Sequence, residues 1–375
     1  MKKMIYADNA ATTELDKAAL EAMMPFLSFE YGNCSQPYAF ARKPKQAIKQ
    51  AREVIARCIN AEPEEIIFTS CASESNSHVI KSIIWNGGNR RSVITSEIEH
   101  HAVLNSCEAI KKIDYSVTYL PVSSKGVVLE ESLKKIITKD TYLVSIMLAN
   151  NEIGTIEPIK ELAYIAHSNG ALFHTDAVQA VGHIPIDVKE LDVDFLSASA
   201  HKFNGPKGIG FLYVKKGTAL YSLISGGSQE FGFRAGTENV ASIVGMAVAL
   251  KNNCDKMNEN RMKLVELENE VISSLKAADI DFIRNGAENH IPGNINLSFR
   301  DWEGETLLHR LDLMGISVST GSACDSVNTQ LSHVIRAIEP PKEYANGTIR
   351  ISLGKNNTQE DIQDISKALI KIIKD

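Results

Sequence analysis

A lysine, an aspartate and a cysteine stand out in this sequence because of their settings. Lys202 lies in Ser199-Ala200-His201-Lys202-Phe203-Asn204-Gly205-Pro206, a small and polar turn just after an apolar run, where an amine could form a Schiff base with a carbonyl compound. A solvated lysine beside a Gly-Pro turn is the plain alternative. Asp176, in His174-Thr175-Asp176-Ala177-Val178-Gln179, closes an apolar strand at the edge where open α/β sheets bind their ligands. An acid there could keep a pyridine nitrogen protonated, so that the ring absorbs electrons released at a substrate carbon; it could equally cap the next helix. Cys324, in Thr320-Gly321-Ser322-Ala323-Cys324-Asp325-Ser326, sits amid small and polar residues, as an accessible thiol would. Asp325 beside it disfavours the thiolate by like-charge repulsion, so an inert surface cysteine is the competing reading.

Two further segments could act with these. Thr69-Ser70-Cys71-Ala72-Ser73-Glu74-Ser75-Asn76 follows a strand and opens a helix, which offers amides and hydroxyls to an anion, although such runs also serve purely as caps. Glu99-His100-His101 places imidazoles after another strand, suited to stacking on a planar ring or to proton transfer, or simply to solvent.

The elements that must position these residues are legible as a rhythm. Short β-branched runs at 65–68, 92–95, 116–119, 142–146, 171–174, 195–197 and 210–214 alternate with amphipathic segments at 75–85, 101–113 and 159–168. This predicts a doubly wound α/β domain, its mostly parallel sheet covered by helices. One long helical pattern over 241–275 reads as a connector. Beyond it, a strand at 293–299, a helix at 303–313, a strand at 348–352 and a helix at 358–373 predict a smaller α+β domain. The expected boundaries are 15–255 for the large domain and 1–14 with 256–375 for the small one.

A chain of 375 residues, 44% hydrophobic and 23% charged with a net charge of −6, has no polybasic footprint for nucleic acid. It shows no signal peptide and no apolar run long enough to span a membrane, so a cytoplasmic protein is expected. The six cysteines lack a C-x-x-C pair, which argues against a disulfide framework and a zinc ribbon; no metal site is expected.

Taken in order, Tyr6-Ala7-Asp8-Asn9-Ala10-Ala11-Thr12-Thr13, Glu99-His100, Asn150-Asn151-Glu152-Ile153-Gly154, Asp176-Ala177-Val178-Gln179, Ser199-Ala200-His201-Lys202, Arg234-Ala235-Gly236-Thr237, Gly321-Ser322-Ala323-Cys324 and Arg350-Ile351-Ser352-Leu353-Gly354 resemble the cysteine desulfurases. That family falls in the class V aminotransferase group of fold-type I pyridoxal-phosphate enzymes. The resemblance implies pyridoxal 5'-phosphate joined to Lys202, with Asp176 at the pyridine nitrogen, Gln179 at the phenolic oxygen and His100, a catalytic residue, stacked on the ring. Ser73, Ser199, His201 and Thr237 would hold the phosphate, with Ala72 also at the cofactor and Thr237 reaching in from the other subunit of a homodimer. Asn151 and Arg350 would bind the carboxylate of L-cysteine. Lys202 would remove the Cα proton, and Cys324 would take the sulfur as a persulfide, release alanine and pass the sulfur to a protein acceptor of iron–sulfur cluster or tRNA thiolation pathways.

Several positions depart from the family pattern: Cys34 for proline, Tyr38 for histidine, Cys71 for glycine, and Phe231 where a basic residue is common. They leave open a selenocysteine lyase or other lyase of the same fold, and, in another class, a non-catalytic sulfur-relay subunit. The acceptor is not named by the sequence.

Overall fold

The computed structural model describes residues 4–321 and 331–375. After a short β1 (Ile5–Tyr6), the chain forms β2 (Ile66–Thr69), β3 (Ser92–Ser96), β4 (Ser116–Leu120), β5 (Thr141–Ser145), β6 (Leu172–Asp176), β7 (Phe195–Ser199) and β8 (Gly210–Val214). Strands β2 to β8 make one sheet in the order β2-β8-β7-β6-β5-β3-β4. Neighbours from β7 to β4 pair in parallel, whereas β8 runs against both β7 and β2. Every residue of β5, β7 and β8 is buried, which is why these strands read as continuous apolar or small runs rather than as alternation. Helices such as Ala72–Lys81, His101–Lys111 and Ile159–Ser168 supply crossovers that parallel pairing requires. The expected mostly parallel sheet and its strand positions are therefore those of the structure.

A second core gathers Ile5 and Ala7 with residues such as Leu264, Ile295, Leu311, Ile349 and Leu369. It lines β9 (Phe282–Arg284), β10 (Asn294–Phe299) and β12 (Thr348–Ser352), an antiparallel sheet in the order β12-β10-β9, while β11 (Ile316–Ser317) pairs in parallel with β1. The predicted single helix over 241–275 is two, Val240–Asp255 and Met257–Ala277, broken at Lys256 (φ −106°, ψ 12°). The run Asn252-Asn253-Cys254-Asp255 holds weak helix formers. Its two asparagine side chains are also engaged elsewhere, Asn252 with Asp16 and Asn253 with the carbonyl of Phe203. Among the described residues no helix is long and apolar enough to cross a membrane.

Two histidines tie the central strands together. His174 on β6 is fully buried and bonds Ser145 on β5 (2.8 Å) and Ser197 on β7 (3.0 Å). Burial pushes its pKa down to about 3, so it is a neutral cross-strand bridge. His167, near the end of helix Ile159–Ser168, instead sits between Asp194 (2.8 Å) and Asp192 (3.1 Å), and Asp194 also accepts the amide of Phe173. The hydrogen bond to Asp194 is the main cause that raises its pKa above 6.5, and burial opposes it. A raised folded-state pKa contributes stability that is complete below about pH 6.5 and is lost as pH rises through the folded value. The melting-temperature advantage of wild type over His167→Gln is therefore expected to shrink from pH 6 to pH 9 in a thermal-melt series; an advantage independent of pH would remove the ion pair as its cause.

Candidate active site

The ends of β6 and β7, the turn after β2 and the residues after β3 converge on one cavity of about 230 Å³, roofed by Ala10, Ala11 and Arg350. Ala72, Ser73, His100, Asn151, Asp176, Gln179, Ser199, His201, Lys202 and Arg350 all line it. Thr237 does not: it is exposed and lies on a separate surface hollow with Tyr31 and Cys34. Cys324 belongs to residues 322–330, which lie outside those described.

Strand β7 delivers Lys202 through a single 3-10 turn, Ala200–Lys202. Its Nζ donates to the carbonyls of Ala10 (2.6 Å) and Ala11 (2.8 Å). Gln179 Nε2 donates to the same Ala10 carbonyl at 3.0 Å. These two carbonyls belong to an N-terminal strap. Its Ala7 exchanges backbone bonds with Ser317 and Ser352, and its Thr13 bonds the carbonyl of His201. No residue type marks such acceptors, and sequence reasoning passed over them.

Asp176 ends β6, and both of its oxygens are held. Asn76 Nδ2 donates to Oδ2 at 2.6 Å, and the amide of Val178 donates to Oδ1 at 3.0 Å. Asn76 is fully buried, one turn into the helix that begins at Ala72, and among the described residues its own Oδ1 has no partner. That helix lacks a side-chain cap at Cys71, which leaves its first turn turned toward the cavity beside Ser73. Gly210 permits this close approach, since a Cβ there would fall 2.5 Å from the carbonyl of Ala198 and 3.1 Å from Cys71 Cα.

The imidazoles are neutral at pH 7. His100 is the N-cap of helix His101–Lys111 and accepts the amide of Ala102 on Nδ1 (3.1 Å), which assigns its proton to Nε2. Burial lowers its pKa, and the charge of Lys202 adds to that while Asp176 opposes it. Burial, then the charges of Lys202 and Lys207, bring His201 down to about 4. Beneath them Glu99, with no exposed surface, accepts Ser96 Oγ (2.6 Å) and the amide of Met147 (2.9 Å), and burial raises its pKa to about 8. Nothing in the sequence around Glu99 marks its burial.

Across the cavity Arg350, 1% exposed on β12, donates to the carbonyl of Asn151 (2.8 Å) and to Asp8 (2.7 Å). Among the described residues its Nε has no partner. A buried guanidinium with a spare donor is prepared for an anion. Two cationic side chains, one carboxylate and neutral donors thus face a small space, a balance suited to an amino acid and a phosphorylated ring.

The positions that depart from the family pattern scatter. Cys71 lines the cavity. Cys34 is buried, and its thiol is pushed up to about 11, mainly by that burial. Tyr38 is exposed. Phe231 adopts a left-handed backbone (φ 57°) and lies 5.0 Å from the guanidinium of Arg52, which is itself paired with Glu230. A basic side chain there would face that cation.

Comparison with known proteins adds an independent line. Residues 5–365 match the family model Aminotransferase class-V. The chain is 50% identical, over its whole length and 95% of the relative's, to a protein of Dictyoglomus turgidum named cysteine desulfurase IscS. Among solved structures it resembles a NifS-like protein (38% identity, TM-score 0.93, covering 99% of this chain and 100% of that one). It also resembles a structure titled SspA in complex with cysteine (35% identity, TM-score 0.82, covering 96% and 100%).

The electrostatics can be checked residue by residue. In ¹⁵N-histidine NMR of the protein, His201 is expected to protonate only near pH 4, and the His100 ring is expected to carry its proton on Nε2 at pH 7. Titration of His201 near 6.5 would contradict its burial against Lys202.

Proposed function

The chain belongs to the class V aminotransferase family, and from that membership we propose that it is a pyridoxal-phosphate-dependent cysteine desulfurase that converts L-cysteine to L-alanine and a protein-bound persulfide. The observation that carries this reading is one cavity holding the Lys202 amine, the Asp176 carboxylate fixed by Asn76, and the buried Arg350 guanidinium. The identity to cysteine desulfurases along the whole chain supports it.

The residues fit the cofactor on their own chemistry: an amine for its aldehyde, a carboxylate for its ring nitrogen, and an uncapped helix start with Ala72, Ser73, Ser199 and His201 for its phosphate. Pyridoxal phosphate, when bound, supplies the electron sink that lets bonds at an amino acid's Cα and Cβ break. Lys202 would attach it and, with substrate bound, would take the Cα proton on Nζ. Asp176 would keep the ring nitrogen protonated, His100 would cover the ring, and Gln179 would serve the phenolic oxygen. Arg350 receives the substrate carboxylate with Asn151, using the donor left over after Asp8 and the Asn151 carbonyl are served. Cys324 attacks the substrate sulfur, forming an S–S bond as the Cβ–S bond breaks, and keeps the sulfur while alanine leaves after protonation.

The reading extends to a cytoplasmic homodimer, each Thr237 completing the other subunit's phosphate site, and to a protein acceptor in iron–sulfur cluster assembly or tRNA thiolation. Exposure of Thr237 away from its own cavity, beside the exposed Leu27 and Tyr31, supports the dimer. Separate hydrophobic cores support residues 15–255 as a large cofactor domain and 1–14 with 256–375 as a small one.

Purified protein supplied with pyridoxal phosphate and L-cysteine is expected to release alanine. Cys324→Ser should lose roughly 100-fold or more of that activity. Equal alanine from both proteins would remove Cys324 from the chemistry, and none from either would overturn the proposed activity.

A further inference from the structure

Asn150 stands beside Asn151 in the Asn150-Asn151-Glu152-Ile153-Gly154 turn, and the structure gives it a task of its own. It is fully buried, and both polar atoms of its side chain are engaged. Oδ1 accepts the amides of Glu152 (2.8 Å) and Ile153 (3.0 Å), while Nδ2 donates to the carbonyl of Ile98 (2.9 Å) and meets Met147 Sδ at 3.4 Å. The backbone closes the same turn: the amide of Asn150 donates to the carbonyl of Thr155 (2.9 Å), and the amide of Gly154 to the carbonyl of Asn150 (3.1 Å). Asn151 and Arg350 line the cavity around Lys202, whereas Asn150 lies behind its wall.

The peptide between Asn151 and Glu152 is where this buried side chain reaches the site. Its N–H donates to Asn150 Oδ1, and its C=O accepts Arg350 Nη1 at 2.8 Å. In a planar trans peptide these two groups point in opposite directions, so holding one aims the other. Arg350 is thereby set between two acceptors, the Asn151 carbonyl and Asp8 (2.7 Å), which leaves its Nε without a partner among the described residues. We propose that Asn150 is a positioning residue for the substrate carboxylate: by orienting the Asn151–Glu152 peptide it sets the direction of the Arg350 guanidinium and of the Asn151 side chain. This role rests on the reading of Arg350 and Asn151 as the site of that carboxylate.

With alanine at position 150, the amides of Glu152 and Ile153 lose their shared acceptor and the carbonyl of Ile98 loses its donor, in a place where burial makes unmet groups costly. The Asn151–Glu152 peptide is then released to rotate, and Arg350 no longer has a fixed acceptor on that side. Lys202 is held from a different segment, through the carbonyls of Ala10 and Ala11, so its reaction with an aldehyde does not depend on this turn. The loss therefore falls on ligands that carry a carboxylate and spares those that do not. An asparagine that served only the stability of the turn would affect both kinds of ligand alike.

The test compares aminooxyacetate with methoxyamine, two oxyamines that capture the aldehyde of pyridoxal phosphate and differ by a carboxylate. Full-length protein loaded with pyridoxal phosphate is mixed with each, and the second-order rate constant is read from the visible absorbance. In Asn150→Ala the aminooxyacetate rate constant is expected to fall roughly tenfold from wild type, while the methoxyamine value stays within about twofold. Asn150→Ser, a milder change whose hydroxyl is too short to serve both amides and Ile98, should shift the ratio of the two constants in the same direction, and it carries the test if the alanine variant does not fold. A ratio unchanged from wild type in the folded variant, whether both constants fall together or neither falls, overturns the proposal. Arg350→Gln, measured alongside, separates the two readings. A ratio lowered in Arg350→Gln but not in the Asn150 variants overturns the role of Asn150 alone, and a ratio unchanged in Arg350→Gln overturns the carboxylate site and this role with it.

Discussion

Buried charge is the constraint around which this molecule is organised, and the N-terminal strap is how it is met. Lys202, in the turn after β7, and Arg350, on β12, belong to the neighbourhoods of different sheets, and each needs acceptors where water is scarce. Residues 8–11 provide them for both, through the carbonyls of Ala10 and Ala11 and the carboxylate of Asp8. Removing one partner of a buried ion pair typically costs about 3–5 kcal/mol, because the other is left uncompensated. Asp8 therefore fixes the guanidinium as much as it stabilises the fold. The same strap pairs with β11, bridges to β12 and donates from Thr13 to the carbonyl of His201 in the Lys202 turn, so the two cores are registered against each other through the residues that surround the site.

The cavity's electrostatics follow from that packing. Desolvation keeps His100 and His201 neutral and favours the protonated form of Glu99, so the ionic character is concentrated in Lys202, Asp176 and Arg350. A neutral imidazole can lie on an aromatic ring without repelling a protonated ring nitrogen, which a charged one could not. Asn76 completes the arrangement by fixing one oxygen of Asp176 from the helix that follows β2.

Much of this was legible in the chain. Strands β2 to β8 fall within a residue or two of the runs that predict them, because strands buried on both faces must be apolar or small along their whole length. Lys202, Asp176, His100 and Ser73 announce themselves by polar chemistry just after such runs, and the structure gathers them in one cavity. What the sequence conceals is of two kinds. Backbone acceptors such as the Ala10 carbonyl carry no side-chain signal. Pairings such as Asn76 with Asp176 or Asp8 with Arg350 join residues 100 or more apart along the chain, and only the packing decides them. The break at Lys256 belongs with these, since Asn252 and Asn253 are drawn to partners on other elements. Helix Arg42–Cys58 is a different case: its buried Ile48, Ala51 and Ile55 recur at helical spacing, a signal present in the sequence but ahead of the α/β rhythm that begins at β2.

The central claim is that this cavity is built around the amine of Lys202 as the point of cofactor attachment. The most direct measurement is to incubate the protein with pyridoxal phosphate, reduce with borohydride and map the modified peptide by mass spectrometry. A phosphopyridoxyl group on Lys202, with no other lysine labelled to a comparable extent, is the expected result. Attachment at another lysine, or none at all, would contradict the account.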